Sequence, residues 1–448
     1  MHNAQDPAAV ADTEVGSYFV ANYPPFSMWT EDAVEAQARP ALSRPSLPAG
    51  DSPRVPLGLY LHIPFCRKRC HFCYFRVYTN KNAQEVESYL DLLAREWELY
   101  GSVEALAGRP LDFVYFGGGT PSFLSTGQLD RLVTRLTKRT PWTTAEEITF
   151  ECEPGTLTQA KLSAIRQMGV TRLSLGVENF DDKILEANGR AHRSPEIGRA
   201  YGFARKLGFP QINIDLIAGM LGETDENWHR CVEQTLALEP DSVTIYQMEL
   251  PYNTTISADK LKGTGQFAET VADWATKRRW VKEAFAALES AGYHVGSAYT
   301  AVRDSNAKFV YRDRLWQGAD LLGLGVASFG HINGVHVQNL DKWDTYGAAV
   351  TNGQLPLARA YQPTPDERLI REFVLQLKRG WIATEYFQNA YGVNVTERFR
   401  MEIATLKSEG WLNTQTPERF ELTRDGLLRV DTLLPRFFLP QHQDVRYT

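Results

Sequence analysis

The sequence predicts an α/β protein in which six βα units share a parallel sheet, followed by a small, mainly helical, winged-helix-like unit. Short β-rich runs begin near residues 57, 112, 147, 171, 211 and 241, and stretches with apolar residues at helical spacing lie between them. Several of these stretches end in Gly or Pro, the usual stop signals of a helix. Strands separated by helices pair in parallel, because each crossover carries the chain back over a face of the sheet. A closed or partly closed barrel and an open doubly wound sheet share this pattern, and both place their chemistry at the carboxyl ends of the strands.

Each element follows in order. Residues 1–52 are rich in Pro, Ala, Ser and acidic side chains, and the aromatic patch YFVANYPPFSMW predicts an arm docked on the body by its rings. Residues 53–260 hold the strands LGLYLHI, DFVYFGG, EITFEC, TRLSLGV, QINIDLIAG and DSVTIYQ, with helices expected at 126–139, 158–168, 182–188, 195–207 and 226–238. The rhythm changes after Leu250. Residues 261–360 carry a helical stretch at 266–291 and a glycine-rich turn at 323–330, and a linker is expected at 356–365. Residues 361–448 form the small helical unit, with helices at 366–378, 383–390 and 396–409 and a hairpin-like ending in GWLNTQTPERFELTRDG. Trp381 and Phe387 are read as its core.

Composition narrows the function. The 448 residues are 43% hydrophobic and 23% charged, which sustains a large core and argues against disorder. Net charge is -6 with no block of Lys or Arg, against a nucleic-acid partner and in favour of a small-molecule one. No apolar run approaches the ~20 residues of a membrane helix, and the polar start lacks a secretory signature, so a cytoplasmic protein without a membrane partner is expected. Five cysteines is an odd count for a disulfide framework, and three of them crowd into CRKRCHFC.

That run sets Cys66-x3-Cys70-x2-Cys73 directly after the first strand. Three thiolates on one loop can hold a [4Fe-4S] cluster and leave one iron open. The open iron can chelate the amino and carboxylate groups of S-adenosylmethionine, and one electron from the cluster then gives a 5′-deoxyadenosyl radical. The competing reading is zinc, with His71 or His62 as the missing ligand; the spacing and the lack of a second pair of cysteines count against it. Cys152 and Cys231 read as buried structural thiols.

Other residues gather at strand ends. Gly117, Gly118 and Gly119 precede Thr120-Pro121, where missing β-carbons let backbone approach a ligand; a tight turn explains only two of them. Glu151 ends the third strand and can bind ribose hydroxyls, although a solvated strand end is the plainer reading. Glu178, Asp215 and Arg190 lie at or after the next strands and can hold a ligand with hydroxyls and a carboxylate, with a structural salt bridge the alternative for Arg190. Proton-transfer candidates in or near the cavity are Glu178, Tyr246, Glu249 and Tyr252, the last three in IYQMELPYNT.

LYLHIPFCRKRCHFCYF followed by YFGGGTP resembles the radical S-adenosylmethionine (radical SAM) superfamily, and more narrowly its oxygen-independent coproporphyrinogen III oxidase-like branch. The resemblance implies a partial (β/α)6 radical SAM barrel and two S-adenosylmethionine molecules. Tyr60, Gly118, Glu151 and Phe329 would touch the first. Phe72, Gly119, Thr120, Glu178, Arg190, Asp215 and Met248 would touch the second. A flavodoxin- or ferredoxin-type reductant is implied as well. Oxidase members carry Gln, Ala, Ile and Cys where this chain has Glu178, Met248, Phe329 and Phe75, all expected in the reaction cavity. The haem-chaperone signature Gly-Ala-His is replaced by GLGVASFG. These departures favour methylene transfer to an sp2 carbon, giving C-methylation or cyclopropanation, as in class C radical SAM methyltransferases. The alternatives are oxidative decarboxylation of coproporphyrinogen III, with Arg303, Arg312 and Arg314 for substrate carboxylates, and a haem chaperone using His331 and His336.

Overall fold

The structure, a computed structural model, describes residues 22–46, 54–251, 254–262 and 271–443. A short helix α1 (Arg39–Leu42) precedes strand β1 (Leu57–Ile63). Strands β2 (Phe113–Gly118), β3 (Glu147–Cys152), β4 (Arg172–Glu178), β5 (Gln211–Ala218) and β6 (Ser242–Gln247) then pair in parallel in chain order. The helices between them are α2 (Ala83–Leu99), α3 (Thr126–Arg139), α4 (Gln159–Gln167), α5 (Asp182–Ala187), α6 (Ser194–Lys206) and α7 (Asp225–Leu238). Helix α2 is an addition to the expected set. It starts at a capping box between Asn82 and Glu85 and buries Val86, Leu90, Leu93 and Trp97 on one face.

The strands alternate as half-polar barrels do. Leu59, Leu61 and Ile63 of β1 join Leu173, Leu175 and Val177 of β4 in the main core under the helices. The intervening residues of β3 to β6, among them Glu151, Ser174, Asn213, Asp215 and Thr244, form a hydrogen-bonded polar interior.

After β6 come α8 (Thr255–Lys262), α9 (Trp274–Ser290), β7 (His294–Val295), β8 (Thr300–Val302), α10 (Val310–Trp316), β9 (Asp320–Leu324), β10 (Phe329–Ile332), β11 (Val335–Asn339), α11 (Trp343–Thr351) and β12 (Leu357–Tyr361). One sheet collects them in the order β12-β11-β10-β9-β1-β2-β3-β4-β5-β6-β8-β7. Its ends do not pair, so the barrel is partial. Two expectations are corrected here. The glycine-rich turn at 323–330 holds the end of β9 and the start of β10, with β9 parallel to β1. The supposed linker contains β12, an edge strand paired with β11, because Leu357–Tyr361 finds open backbone groups there. The helical stretch expected from 266 is described from Trp274.

The carboxyl-terminal region packs α12 (Pro365–Leu377), α13 (Thr384–Tyr391), α14 (Val395–Arg398) and α15 (Arg400–Ser408) against a three-stranded sheet of β13 (Trp381–Ala383), β15 (Arg419–Leu422) and β14 (Leu412–Gln415). Phe373, Phe387, Phe399, Phe420 and Phe437 make its apolar centre. Trp381 is corrected from core to a half-buried ring between the guanidinium groups of Arg379 and Arg419, at 4.4 and 4.3 Å. This region meets the barrel at β6 and β8. Gln247 donates to the Leu428 carbonyl at 3.0 Å, and Tyr299 donates to Asp431 at 2.5 Å. Of the aromatic patch expected to dock the arm, Tyr18 and Phe19 lie outside the described residues. Tyr23 and Trp29 are buried: Tyr23 packs on Phe438, and Trp29 stacks on His336.

Candidate active site

A cleft of about 590 Å3 opens at the carboxyl ends of β2 to β6. The cysteine loop forms one wall. Its backbone is tied down by Cys66 N–H to the Tyr78 carbonyl and by Cys73 N–H to the Cys70 carbonyl. The segment after α5 grips it from below. His71 N–H donates to the Asn188 carbonyl, and the His71 ring Nδ1 pairs with the Ala187 carbonyl at 3.0 Å. All three thiols line the cleft.

Two of those sulfurs already accept hydrogen bonds. Thr120 Oγ1 donates to Cys66 Sγ at 3.3 Å, and Arg190 donates to Cys70 Sγ at 3.3 Å. Burial pushes the Cys66 thiol up to about 12 and Cys73 up to about 11. Donors aimed at sulfur suit thiolates that a metal group has deprotonated. Three ligands on one wall fit an iron–sulfur cluster with one open iron. The zinc alternative gains no support from His62, which is held by Tyr60 at 3.2 Å and lies under Gly118. Among the described residues no group of three or more His, Cys, Asp or Glu is arranged around a single metal ion.

Gly118 and Gly119 sit where β2 runs out beside this loop. Gly118 has φ of +112°, and a β-carbon on Gly119 would lie 2.9 Å from the carbonyl oxygens of Ile63 and Phe65. Only glycine lets the two strand ends close to this distance.

The opposite wall is acidic. Glu151 accepts from Tyr115 OH at 2.7 Å and from Gly118 N–H at 3.2 Å. Asp215 accepts from Ser174 Oγ at 2.7 Å and from Asn213 Nδ2 at 2.9 Å. Glu178 has φ of +65° at a register shift in the β4–β5 pairing, a bulge that re-aims a strand-end side chain. It stands 3.4 Å from Arg190, which also donates to the Gly176 carbonyl at 2.5 Å. Burial pushes Glu151 and Glu178 up to about 7 each, and it raises Asp215 as well.

The structure thus brings together Cys66, Cys70, Cys73, Phe72, Gly118, Gly119, Thr120, Glu151, Glu178, Arg190, Asp215, Tyr246, Met248 and Glu249 around one cleft. Tyr60 is one ring removed, stacked on Tyr115 at 5.9 Å. Tyr252 lies outside the described residues. Phe329 does not line the cleft; its ring meets Phe26 and Trp29 of the amino-terminal arm edge-on. Sequence reasoning overlooked Tyr115, Ser174, Tyr311 and Arg172. The first three line the cleft, and Arg172 is buried with its guanidinium 4.0 Å from the Phe309 ring centre. A signal was present in β4 and β5: polar residues at alternate positions of strands otherwise rich in Leu and Ile.

The residues offered for the alternative readings are placed elsewhere. Arg303 pairs with Glu239 and Arg314 with Glu146, both at the amino ends of strands, and Arg312 pairs with Asp313. His331 and His336 are buried, 3.2 Å apart, and His336 also meets the Tyr23 carbonyl.

Residues 60–234 match the model of the radical SAM superfamily. The oxygen-independent coproporphyrinogen III oxidase of Pseudomonas aeruginosa is 30% identical over 397 residues, covering 84% of this chain and 81% of the relative. The haem chaperone HemW of Bacillus subtilis is 27% identical over 372 residues, covering 82% of this chain and 96% of the relative. The solved coproporphyrinogen III oxidase (HemN) from Escherichia coli superposes with a TM-score of 0.79 at 24% identity, covering 97% and 98% of the two chains. These findings overturn the methylene-transfer expectation. It rested on four altered cavity residues, yet Phe329 packs on the arm and Phe75 stands at the exposed rim. A loop of three thiols on one wall of the cleft and likeness along most of the chain place this radical SAM enzyme in the HemN-like branch of the radical SAM superfamily, the branch of coproporphyrinogen III oxidase and HemW.

Proposed function

We propose that this protein is a radical SAM oxidoreductase of the coproporphyrinogen III oxidase type, acting on propionate side chains of a tetrapyrrole-like substrate. The observation that carries the reading is the single cleft in which cluster thiols face buried carboxylates across a space of cofactor size. The oxidase name of the relative that is 30% identical supports it. The burial of His331 and His336 favours oxidation over haem carriage, since neither ring faces the cleft.

Cys66, Cys70 and Cys73 would hold the cluster, with Thr120 and Arg190 donating to the sulfurs. When bound, the cluster supplies the electron that converts S-adenosylmethionine into methionine and a 5′-deoxyadenosyl radical. Gly118 and Gly119 would let the backbone approach the cofactor, and Glu151 would bind its ribose hydroxyls. Phe72, Gly119, Thr120, Glu178, Arg190, Asp215 and Met248 would hold a second S-adenosylmethionine molecule. The chemistry so supplied would be abstraction of a hydrogen atom from the β-carbon of a propionate, after which loss of CO2 and of one electron to an external one-electron acceptor would leave a vinyl group. Glu178, Tyr246 and Glu249 remain the cleft's candidates for moving protons. A flavodoxin- or ferredoxin-type protein is the proposed reductant.

The test is anaerobic turnover of coproporphyrinogen III deuterated at the propionate β-carbons. Deuterium in 5′-deoxyadenosine with CO2 release is the expected result. Unlabelled deoxyadenosine and intact tetrapyrrole would refute the reading.

A further inference from the structure

The cleft is charged unevenly. Its buried lining carries Glu151, Glu178 and Asp215, and Glu249 stands by Tyr74, whereas cations line it chiefly at one rim, in the run Arg67-Lys68-Arg69 of the cysteine loop. Arg67 is already committed, 3.1 Å from Glu153 and 3.3 Å from the Ala191 carbonyl. Arg190 is engaged with Glu178 and Cys70. Lys68 and Arg69 are exposed, and neither has an acidic partner among the described residues; Arg69 is steadied by a 3.0 Å bond to the Cys73 carbonyl.

Beside these two cations lies an aromatic pair. Tyr74 and Phe75 also line the cleft, their ring centres 4.5 Å apart. Phe75 is 41% exposed, and only Met401 shares that condition among the large apolar side chains described. An exposed aromatic next to exposed cations, at the mouth of a cleft, is the complement of a flat apolar body edged with carboxylates.

We propose that Lys68 and Arg69, with the Tyr74–Phe75 shelf, form the receptor for the peripheral carboxylates and macrocycle face of the substrate. The one cation deeper in the lining, Arg190, is already engaged, so the rim holds the other carboxylates outside while one side chain reaches inward. This deepens the oxidase reading and rests on it. It assigns substrate selection to the loop that also holds the cluster, so a ligand seated there is held beside the radical-generating centre.

The experiment titrates the anaerobically reconstituted holoenzyme with coproporphyrin III, the air-stable tetracarboxylate, following its fluorescence. Two exposed ion pairs together are worth about tenfold in affinity. Lys68→Glu/Arg69→Glu is therefore expected to weaken binding about tenfold or more while S-adenosylmethionine affinity is kept. The wild-type Kd should rise with salt, and the tetramethyl ester should bind wild type and double variant alike. Phe75→Ser should weaken acid and ester together. Charge reversal beside Cys70 can impair cluster loading, so Lys68→Met serves as the milder variant, with a smaller loss. A salt-independent wild-type Kd, or unchanged binding in both Lys68 variants, overturns the rim receptor even if the tetrapyrrole is turned over, and leaves the oxidase reading standing. A wild type that neither binds nor converts the tetrapyrrole ends both. Variants that bind normally yet fail only with an acidic protein donor, and recover with dithionite, would make the rim a reductant-docking face and overturn the proposal.

Discussion

Glu151 and Glu178 enter the cleft as buried carboxyls held near 7, and the ligand proposed to face them carries a sulfonium cation. Burial favours their protonated forms, while a bound cation favours the charged ones. S-adenosylmethionine affinity should therefore rise with pH through about 7 and level off above, by up to about tenfold per unit for each proton released. Equilibrium titration across that range checks the slope, and Glu151→Gln should flatten it. Arg190 bridges the two walls through Cys70 and Glu178, so Arg190→Ala should weaken the proposed second cofactor molecule at least tenfold and lower the bound stoichiometry. An unchanged stoichiometry would remove that subsite. Cys70→Ala should abolish both the cluster chromophore and cofactor cleavage, read by iron content and deoxyadenosine yield. The cluster ligands were legible because three thiols on one short loop need only local chain geometry. Arg172 was not, because a lone Arg opening a strand looks like a solvated end until Phe309 is seen packed on it.

At the scale of elements, α2 does more than cover the sheet. Its Glu96 is fully buried and accepts from Gly325 N–H at 2.8 Å, Tyr346 OH at 2.7 Å and Asn339 Nδ2 at 2.6 Å, tying the β9–β10 turn to α11. Glu96→Ala would leave three buried donors unmatched and should cost about 3 kcal/mol or more, read from urea unfolding. Burial also lifts Glu96 to about 7. A carboxyl raised in the folded state gives stability that is full below its unfolded pKa and lost as pH rises through the folded one. The stability gap between wild type and Glu96→Gln should therefore shrink as pH rises from about 4.5 to about 7. The boundaries of α3 to α7 were legible from caps and periodicity. Strand β12 was not, since a short run between prolines becomes a strand only when an open sheet edge offers it partners.

For the whole molecule, the amino-terminal arm is a clamp. Tyr23 lies between the arm, the sheet edge and the chain's last turns: its hydroxyl accepts from Leu439 N–H at 3.1 Å and meets His442 Nδ1 at 2.9 Å, while its carbonyl meets His336. Tyr23→Ala should cost about 3–5 kcal/mol. Limited proteolysis should then cut earlier between the barrel and the carboxyl-terminal region than in wild type, and an unchanged digestion pattern would show the clamp to be dispensable. No helix among the described residues is long and apolar enough to cross a membrane.

By itself the sequence determined the βα rhythm, the strand ends where chemistry gathers, and the cluster-binding loop. Each depends on residues near one another in the chain, where period, capping and spacing speak directly. Tertiary structure decided what period cannot. It set Phe329 against Trp29 instead of the cofactor, buried His331 and His336 beneath the arm, and sent Arg303 and Arg314 to the far end of the barrel. Alternation says which face a side chain takes; only the packed fold says what stands opposite, because those neighbours are brought together by long-range burial.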